Sequence, residues 1–144
     1  MNAIGFNFTK LNIEDFRVPN KPVEGVKINT EMNILSIEEV KPQFLNIKTK
    51  EEFISIEFEH KVIYEPNFAK VEIKGKVLIS LDSKLAKEVS KGWKSKEIPQ
   101  DFRIFLFNTI LRKSTLKALE LEDDLNLPLH LPMPSFSKNK EDKQ

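Results

Sequence analysis

The chain has 144 residues, of which 40% are hydrophobic and 31% charged, with 23 Lys and Arg against 22 Asp and Glu. This length suits one domain around one core, and the balanced charge gives no electrostatic argument for nucleic acid as a partner. The absence of cysteine excludes disulfides and thiolate metal sites, and the presence of only two histidines argues against the common zinc sites. We therefore expect no metal and no other cofactor.

Alternating apolar and polar residues predict two strands in the first part of the chain. The first strand covers residues 4–14, and its apolar residues change parity near Thr9, which indicates a bulge or bend. The connection that follows, FRVPNKPVEG, contains two prolines and a glycine and cannot continue a strand. The second strand covers residues 26–40 and changes parity again after Ile34.

Two further strands, over residues 53–64 and 68–81, place apolar side chains on one face and charged side chains on the other. Four such strands predict an antiparallel sheet that is covered on one side. His60 falls on the inward face of the third strand, so we expect a hydrogen-bonded core or interface histidine and not a catalytic one.

The remainder of the chain is predicted to be helical and then extended. Asp82 and Ser83 can cap a short amphipathic helix that ends near Gly92, and a long helix follows over about residues 100–124. The prolines of LNLPLHLPMPSF require an extended path. We expect its apolar side chains to dock as a structural clasp; these are Leu131, Met133 and Phe136.

The predicted fold class is therefore α+β, with a four-stranded antiparallel sheet and a short and a long helix packed on one face. Residues 1–136 are predicted to form the domain, and the charged residues 137–144 are predicted to be disordered. No signal-peptide pattern or membrane-spanning segment is visible, so a cytoplasmic location without membrane insertion is expected.

The long helix is apolar on more sides than one sheet face can cover. One stripe, predicted to lie on the sheet, comprises Ile104, Phe107, Leu111, Ser114, Ala118, Leu121 and Leu125. A second stripe comprises Phe102, Phe105, Leu106, Thr109, Leu116 and, at its edge, Ile110. Leaving this second stripe in water would forgo on the order of 10 kcal/mol, so it needs a partner. The short helix and tail, a bound ligand and a second copy of the chain are the alternatives, and we favour self-association.

Other candidate sites have simpler explanations. The acidic pairs at 38–39, 51–52 and 123–124 are expected to be solvated charges, and His130 has neither a nearby carboxylate in sequence nor a metal-binding spacing. The glycines are scattered, so no phosphate-binding loop is present. We therefore expect a protein that is not an enzyme.

The order of these elements resembles the SecB export chaperones. The segment GFNFTKLNIEDF is similar in pattern to the opening SecB strand and its crossover. FLFNTILRKSTLKALEL with LNLPLHLPMPSF resembles the SecB helix and the Leu-Asn-Leu and Pro-Val-Asn-Phe segment behind it. This resemblance implies a homo-oligomer, a dimer or a tetramer built as a dimer of dimers, that holds unfolded polypeptide without ATP in apolar grooves beside its long helices.

Carried onto this sequence, the resemblance implies a set of polypeptide-binding residues: Phe16, Val18, Phe102, Phe105 and Leu106. Self-association is assigned to a second set: Ile110, Leu116 and Trp93. The acidic residues of the predicted outer sheet face alternate with lysines, so a SecA-like partner is not expected. SecB-like chains also act as chaperones in toxin–antitoxin systems. The alternative functions are a non-chaperone oligomeric scaffold or adaptor and a small-ligand carrier.

Overall fold

The computed structural model describes residues 1–21, 25–41 and 51–136. The strands are β1 (Asn2–Asp15), β2 (Lys27–Val40), β3 (Glu51–Glu65) and β4 (Ala69–Asp82), and the helices are α1 (Ser83–Lys94) and α2 (Gln100–Asp124). The strands form one sheet in the order β1-β4-β3-β2, and every neighbouring pair is antiparallel. The α+β prediction is confirmed, and the predicted strand and helix bounds agree with those observed to within a few residues.

Strict alternation along the two central strands separates a buried sheet face from a charged one. On β3, residues from Ile54 to Tyr64 alternate between buried and half-buried, and on β4 every second residue from Ala69 to Leu81 is buried. The two strands pair in the register that puts Ile56 opposite Val77. Because one face carries the apolar residues of both strands, the core lies on that face alone.

Both predicted irregularities occur in the outer strands. The register of β1 against β4 shifts between Phe8 and Lys10, where Thr9 was predicted to bulge, and shifts again between Ala3 and Gly5. The register of β2 against β3 shifts at Leu35, which confirms the second parity change. After the bulges, Ile13 of β1 lies opposite Val71 and Ile37 of β2 lies opposite Ile56, both of which are on the buried face.

Gly75 makes room in β4 for the ring of Phe58 on β3. A Cβ atom at Gly75 would lie 2.6 Å from Phe58 Cζ and 2.7 Å from the carbonyl oxygen of Asn7. Phe58 is fully buried and stacks near Phe6 of β1, with ring centroids 5.4 Å apart. The glycine therefore allows an aromatic side chain to lie across the middle of the sheet.

The two helices divide the apolar face between them. Helix α1 packs on β2, β3 and β4, and α2 packs on β1, β3 and β4. Asp82 caps α1 as predicted, since its Oδ1 accepts a hydrogen bond of 2.7 Å from the backbone N–H of Leu85. Helix α1 extends to Lys94, slightly beyond the predicted end at Gly92. Among the described residues, no helix is long and apolar enough to cross a membrane.

The face of α2 that lies on the sheet differs from the prediction. The buried residues follow one another at intervals of four: Phe102, Leu106, Ile110, Ser114, Ala118 and Glu122. Ile104 and Leu111, which were predicted to face the sheet, are 52% and 40% exposed. The predicted assignment is wrong for the first half of the helix and correct for Ser114 and Ala118.

The geometry of the helix explains this difference. Residues four apart are offset by about 40° around a helix of 3.6 residues per turn, so a row of such residues runs obliquely to the helix axis. Over the six buried positions the contact line moves about 200° around α2. The prediction assumed a stripe parallel to the axis, whereas α2 crosses a twisted sheet and buries an oblique row.

Replacing Gly75 by alanine should destabilise the fold. The added methyl group meets the Phe58 ring and the β1 backbone, and overpacking of this kind costs about 1–3 kcal/mol. We expect a lower urea midpoint for Gly75→Ala than for the parent chain. The loss should be smaller when Phe58→Leu is already present, because the ring is then absent. Equal midpoints for Gly75→Ala and the parent would contradict this interpretation.

Candidate functional site

The predicted polypeptide-binding residues fall at opposite ends of α2. Phe16 and Val18, in the connection after β1, are 40% and 59% exposed. Phe102 and Leu106 are fully buried against the sheet, and Phe105 is half-buried. About 28 Å of helix separates Leu106 from the end of α2 near which the β1 connection lies. The structure therefore does not bring the five residues together into one groove.

Arg17 attaches the connection after β1 to the end of α2. Its guanidinium donates hydrogen bonds to the carbonyl oxygens of Leu125, at 2.7 Å, and Asn126, at 3.2 Å. Asp15 accepts from the same guanidinium at 2.6 Å, and this hydrogen bonding lowers the pKa of the Asp15 carboxyl. A cation at the carbonyl end of a helix is favourable. The attachment holds the neighbouring Phe16 and Val18 at the surface.

A groove follows the first half of α2 on the side of α1, and we call it the α1-side groove. One part encloses about 540 Å³ and is lined by Ile98, Gln100, Arg103, Ile104, Phe107 and Asn108. A second part of about 330 Å³ shares some of these residues and reaches Ile34, Trp93, Lys96 and Glu97. Because the two parts share Ile98, Arg103 and Phe107, they form one concave surface between α1, α2 and β2.

A second concave surface, the β1-side groove, lies across α2 from the first. It encloses about 500 Å³ and is lined by Asn2, Ala3, Phe105, Asn108, Thr109, Arg112 and Lys113. Asn108 borders both grooves, so the exposed ridge of α2 separates them. Of the predicted binding residues, Phe105 lines this groove.

Cationic side chains lie over the aromatic rings in and beside the grooves. The Lys96 ammonium is 4.6 Å from the Trp93 ring centroid, and the Arg103 guanidinium carbon is 5.5 Å from that of Phe107. On the other side of α2, Lys113 lies 5.0 Å from the centre of the Phe6 ring. These contacts attract the cation to the negative face of the ring and leave its outer donors toward solvent.

The three predicted interface residues differ in how far they are exposed. Ile110 is fully buried in the core of the chain, so its side chain is not on the surface. Leu116 is 65% exposed, and Trp93 is half-buried in the wall of the α1-side groove. Whether Leu116 and Trp93 contact a second copy stays a prediction.

The apolar residues of the α1-side groove were not among the predicted site residues; these are Ile34, Ile98, Ile104 and Phe107. The sequence signal was present, since α2 is apolar on most sides and Ile34 lies where β2 changes parity. An apolar surplus on most sides of a helix does not show which side faces the sheet. The prediction placed the side of Ile104 and Phe107 on the sheet, whereas the structure buries the side of Phe102 and Leu106.

A buried polar cluster fastens the chain that follows α2. The Glu122 carboxylate is fully buried and accepts from the backbone N–H of His130 at 2.8 Å. His130 Nδ1 lies 2.8 Å and 2.9 Å from the two Glu122 oxygens, so this nitrogen carries the donated proton. The Tyr64 hydroxyl donates to the carbonyl oxygen of Pro128 at 2.6 Å. No carboxylate is close to His130 in sequence, and the fold supplies Glu122 from the last turn of α2.

His60 behaves as predicted, as a hydrogen-bonded core histidine. Its Nδ1 lies 2.9 Å from the Ser114 hydroxyl, and its side chain is buried between β3 and α2. Burial lowers the pKa of the His60 imidazole, and the neighbouring His130 lowers it further. Burial and the Glu122 carboxylate raise the pKa of Tyr64 well above its ordinary value. The cluster is hydrogen-bonded within itself, and none of its residues lines either groove.

The clasp after α2 forms earlier in the chain than predicted. Leu127 is 5% exposed, and its backbone N–H donates to the Glu122 carbonyl oxygen at 2.9 Å. Leu131, Met133 and Phe136 are 45%, 59% and 97% exposed, so these three predicted docking residues do not dock on their own chain. The Tyr64 and Glu122 contacts hold the segment through its backbone and His130. The predicted disordered tail, 137–144, lies outside the described residues.

Comparison with solved structures relates this arrangement to a chaperone fold. The chain is similar to the SecB-like chaperone Rv1957 of Mycobacterium tuberculosis, solved in complex with a ChAD peptide from the Rv1956 HigA1 antitoxin. The match has a TM-score of 0.51 and 14% sequence identity, and it covers 95% of this chain and 91% of the other. No protein-family model and no curated protein matches the sequence. The likeness is one of fold.

Removing the buried carboxylate should loosen the segment after α2. In Glu122→Gln, an amide group replaces one acceptor and faces the His130 donors, which should lower the free energy of unfolding by about 1–3 kcal/mol. Hydrogen exchange at residues 127–130 should also become faster. Asp124→Asn is the matched control, because Asp124 is exposed and near the same helix end. Equal effects of the two substitutions would contradict the proposed fastening.

His60 should make the fold less stable as the pH falls below about 6.5, the ordinary pKa of histidine. The folded state keeps His60 neutral to lower pH than the unfolded chain does, so the unfolded chain binds more protons in this range. The free energy of unfolding therefore falls as the pH decreases through this window. Chemical denaturation at pH 7.5 and 5.5 should show a smaller decrease for His60→Gln than for the parent. An unchanged decrease would show that other groups account for it.

Proposed function

We propose that this protein is a SecB-like holdase, which binds unfolded polypeptide without ATP in the grooves beside α2. The observation that carries the proposal is the pair of grooves on either flank of the first half of α2, on a fold like that of a SecB-like chaperone. The activity is binding, with the apolar lining as its driving force and no covalent chemistry. The proposed site differs from the predicted one, because Phe102 and Leu106 are buried between α2 and the sheet and do not line a groove.

The α1-side groove presents apolar side chains that an extended apolar segment can contact. Ile104 is 52% exposed at the edge of the α1-side groove, whose wall also includes Trp93 and Phe107. Fully burying one large apolar side chain contributes about 1.5–3 kcal/mol, so a few client side chains give useful affinity. Phe16 and Val18, at the far end of α2, offer a further exposed contact for a long client.

The structural neighbour supports a polypeptide as the ligand. That protein is a SecB-like chaperone solved in complex with a peptide from an antitoxin. We carry over to this chain the class of ligand, non-native polypeptide, and leave open whether the pathway is export or toxin–antitoxin control.

We further propose that the protein is cytoplasmic and self-associates as a dimer or tetramer, with Leu116 at the interface, while Trp93 in the α1-side groove contacts the client. Leu116 is 65% exposed on α2 and lines neither groove, so a second copy can cover it without blocking clients. Several grooves in one assembly let weak contacts act together on one client. A SecA-like partner is not part of the proposal, because acidic residues of the outer sheet face lie within ion-pair distance of lysines, as in Lys10–Glu72 and Lys76–Glu57.

Aggregation of a reduced or denatured test protein provides the test. The parent chain should suppress it, and Ile104→Ser should suppress it about fivefold less well, because a lost apolar anchor costs about 1 kcal/mol or more. Leu35→Ser is the matched control: Leu35 is 44% exposed and lines neither groove.

The same measurements separate the alternative functions. A parent oligomer that neither suppresses aggregation nor binds an apolar dye would overturn the holdase proposal in favour of a scaffold. Sedimentation that shows a stable monomer at tens of micromolar would overturn the self-association.

A further inference from the structure

The linings of both grooves carry an excess of positive charge. Lys96 and Arg103 line the α1-side groove, and Arg112 and Lys113 line the β1-side groove. Among the described lining residues, Glu97 is the single acidic one. The chain as a whole has a formal charge of only +1, so this excess is local.

The local excess follows from the sequence of α2. From residue 102 to residue 119 the helix contains Arg and Lys but neither Asp nor Glu. Its acidic residues are at its ends, where Asp101 is in the first turn and Glu120 lies 2.9 Å from the Lys117 ammonium. The cations beside the grooves therefore have no acidic partner within this part of the helix.

The contacts of these cations leave them available to a bound chain. Arg103 and Lys113 each lie over an aromatic ring, a contact that uses the face of the ring and not the outer N–H donors. Arg112 makes no hydrogen bond, ion pair or ring contact with the described residues. A carboxylate that approaches either groove can therefore accept charge-assisted hydrogen bonds from guanidinium and ammonium groups.

We infer that the grooves prefer apolar polypeptide segments that are flanked by acidic residues. The inference rests on the proposed function and names the client class for the same site. Apolar side chains of the client fill the groove, while Asp or Glu on either side of them pair with Arg103 and Lys96 or with Arg112 and Lys113. Lysine-flanked segments of the same apolar content are disfavoured by like charge.

Single-stranded nucleic acid is also anionic and carries flat apolar groups. The cations over the aromatic rings of the α1-side groove favour an acidic polypeptide over this alternative ligand. Binding of that kind stacks successive bases on exposed aromatic faces. Here Lys96 lies over the Trp93 ring and Arg103 over the Phe107 ring, so a cation already occupies one face of each. Apart from these rings, their cations and Glu97, the described lining of the α1-side groove is aliphatic or amide: Ile34, Ile98, Ile104, Gln100 and Asn108.

Fluorescence anisotropy with three labelled peptides tests the inference on the full chain. The peptides share one apolar core with aromatic and aliphatic residues, and their flanks carry glutamate, serine or lysine. At low salt we expect the glutamate-flanked peptide to bind about tenfold more tightly than the lysine-flanked one. This ratio should fall as salt is raised, while affinity for the serine-flanked peptide should stay nearly constant.

Two paired substitutions locate the preference. Arg103→Gln with Arg112→Gln should reduce the ratio to about twofold, because one guanidinium is lost from each groove. Arg112→Gln alone should reduce it in part, without disturbing the Phe107 ring. Lys74→Gln with Lys76→Gln removes the same charge from the outer sheet face and should leave the ratio unchanged.

The outcomes separate this inference from the proposed function. Equal affinity for the three peptides would overturn the charge preference and keep the holdase. Absence of binding to all three would overturn the proposed function itself. Binding of an oligothymidine more tightly than of the glutamate-flanked peptide would overturn the client class, and so would an unchanged ratio in the Arg103 and Arg112 variant.

Discussion

The oblique packing of α2 on the sheet determines where the rest of the structure lies. A row of side chains four residues apart, from Phe102 to Glu122, meets the sheet along a line that moves around the helix. The apolar flank of the first half is thereby turned away from the sheet, where it becomes the wall of a groove. In the second half the same rotation carries the helix's own carboxylate, Glu122, into the core.

The two ends of α2 consequently have different chemistry. At the first end, Ile104 and Phe107 meet solvent beside α1, and nearby cations lie on the aromatic rings. At the second end, a buried carboxylate would be costly without hydrogen bonds, and His130 supplies them from the segment that follows. Arg17 attaches the β1 connection to the same helix end. The first end borders the two grooves, and the second is held by hydrogen bonds to other segments.

Much of the fold could be predicted because its signals are local. The alternation in β3 and β4, the parity changes at Thr9 and Leu35 and the Asp82 cap each depend on neighbouring residues, and the structure confirms them. For the candidate site, the sequence indicated that α2 carries more apolar residues than the sheet can cover, and this surplus was correctly recognised. Its location could not be, because Phe102 and Phe107 have the same apolar character and differ only in what the sheet covers.

Residue types at short spacing are enough to specify the strand pattern, the one-sided sheet, the extent of both helices and the absence of cysteine chemistry. The tertiary structure decided which flank of α2 is buried, that Glu122 meets His130, and that cations gather beside two grooves. These depend on the angle at which a helix crosses a twisted sheet. That angle is set by packing over the whole surface, so no local pattern in the sequence encodes it.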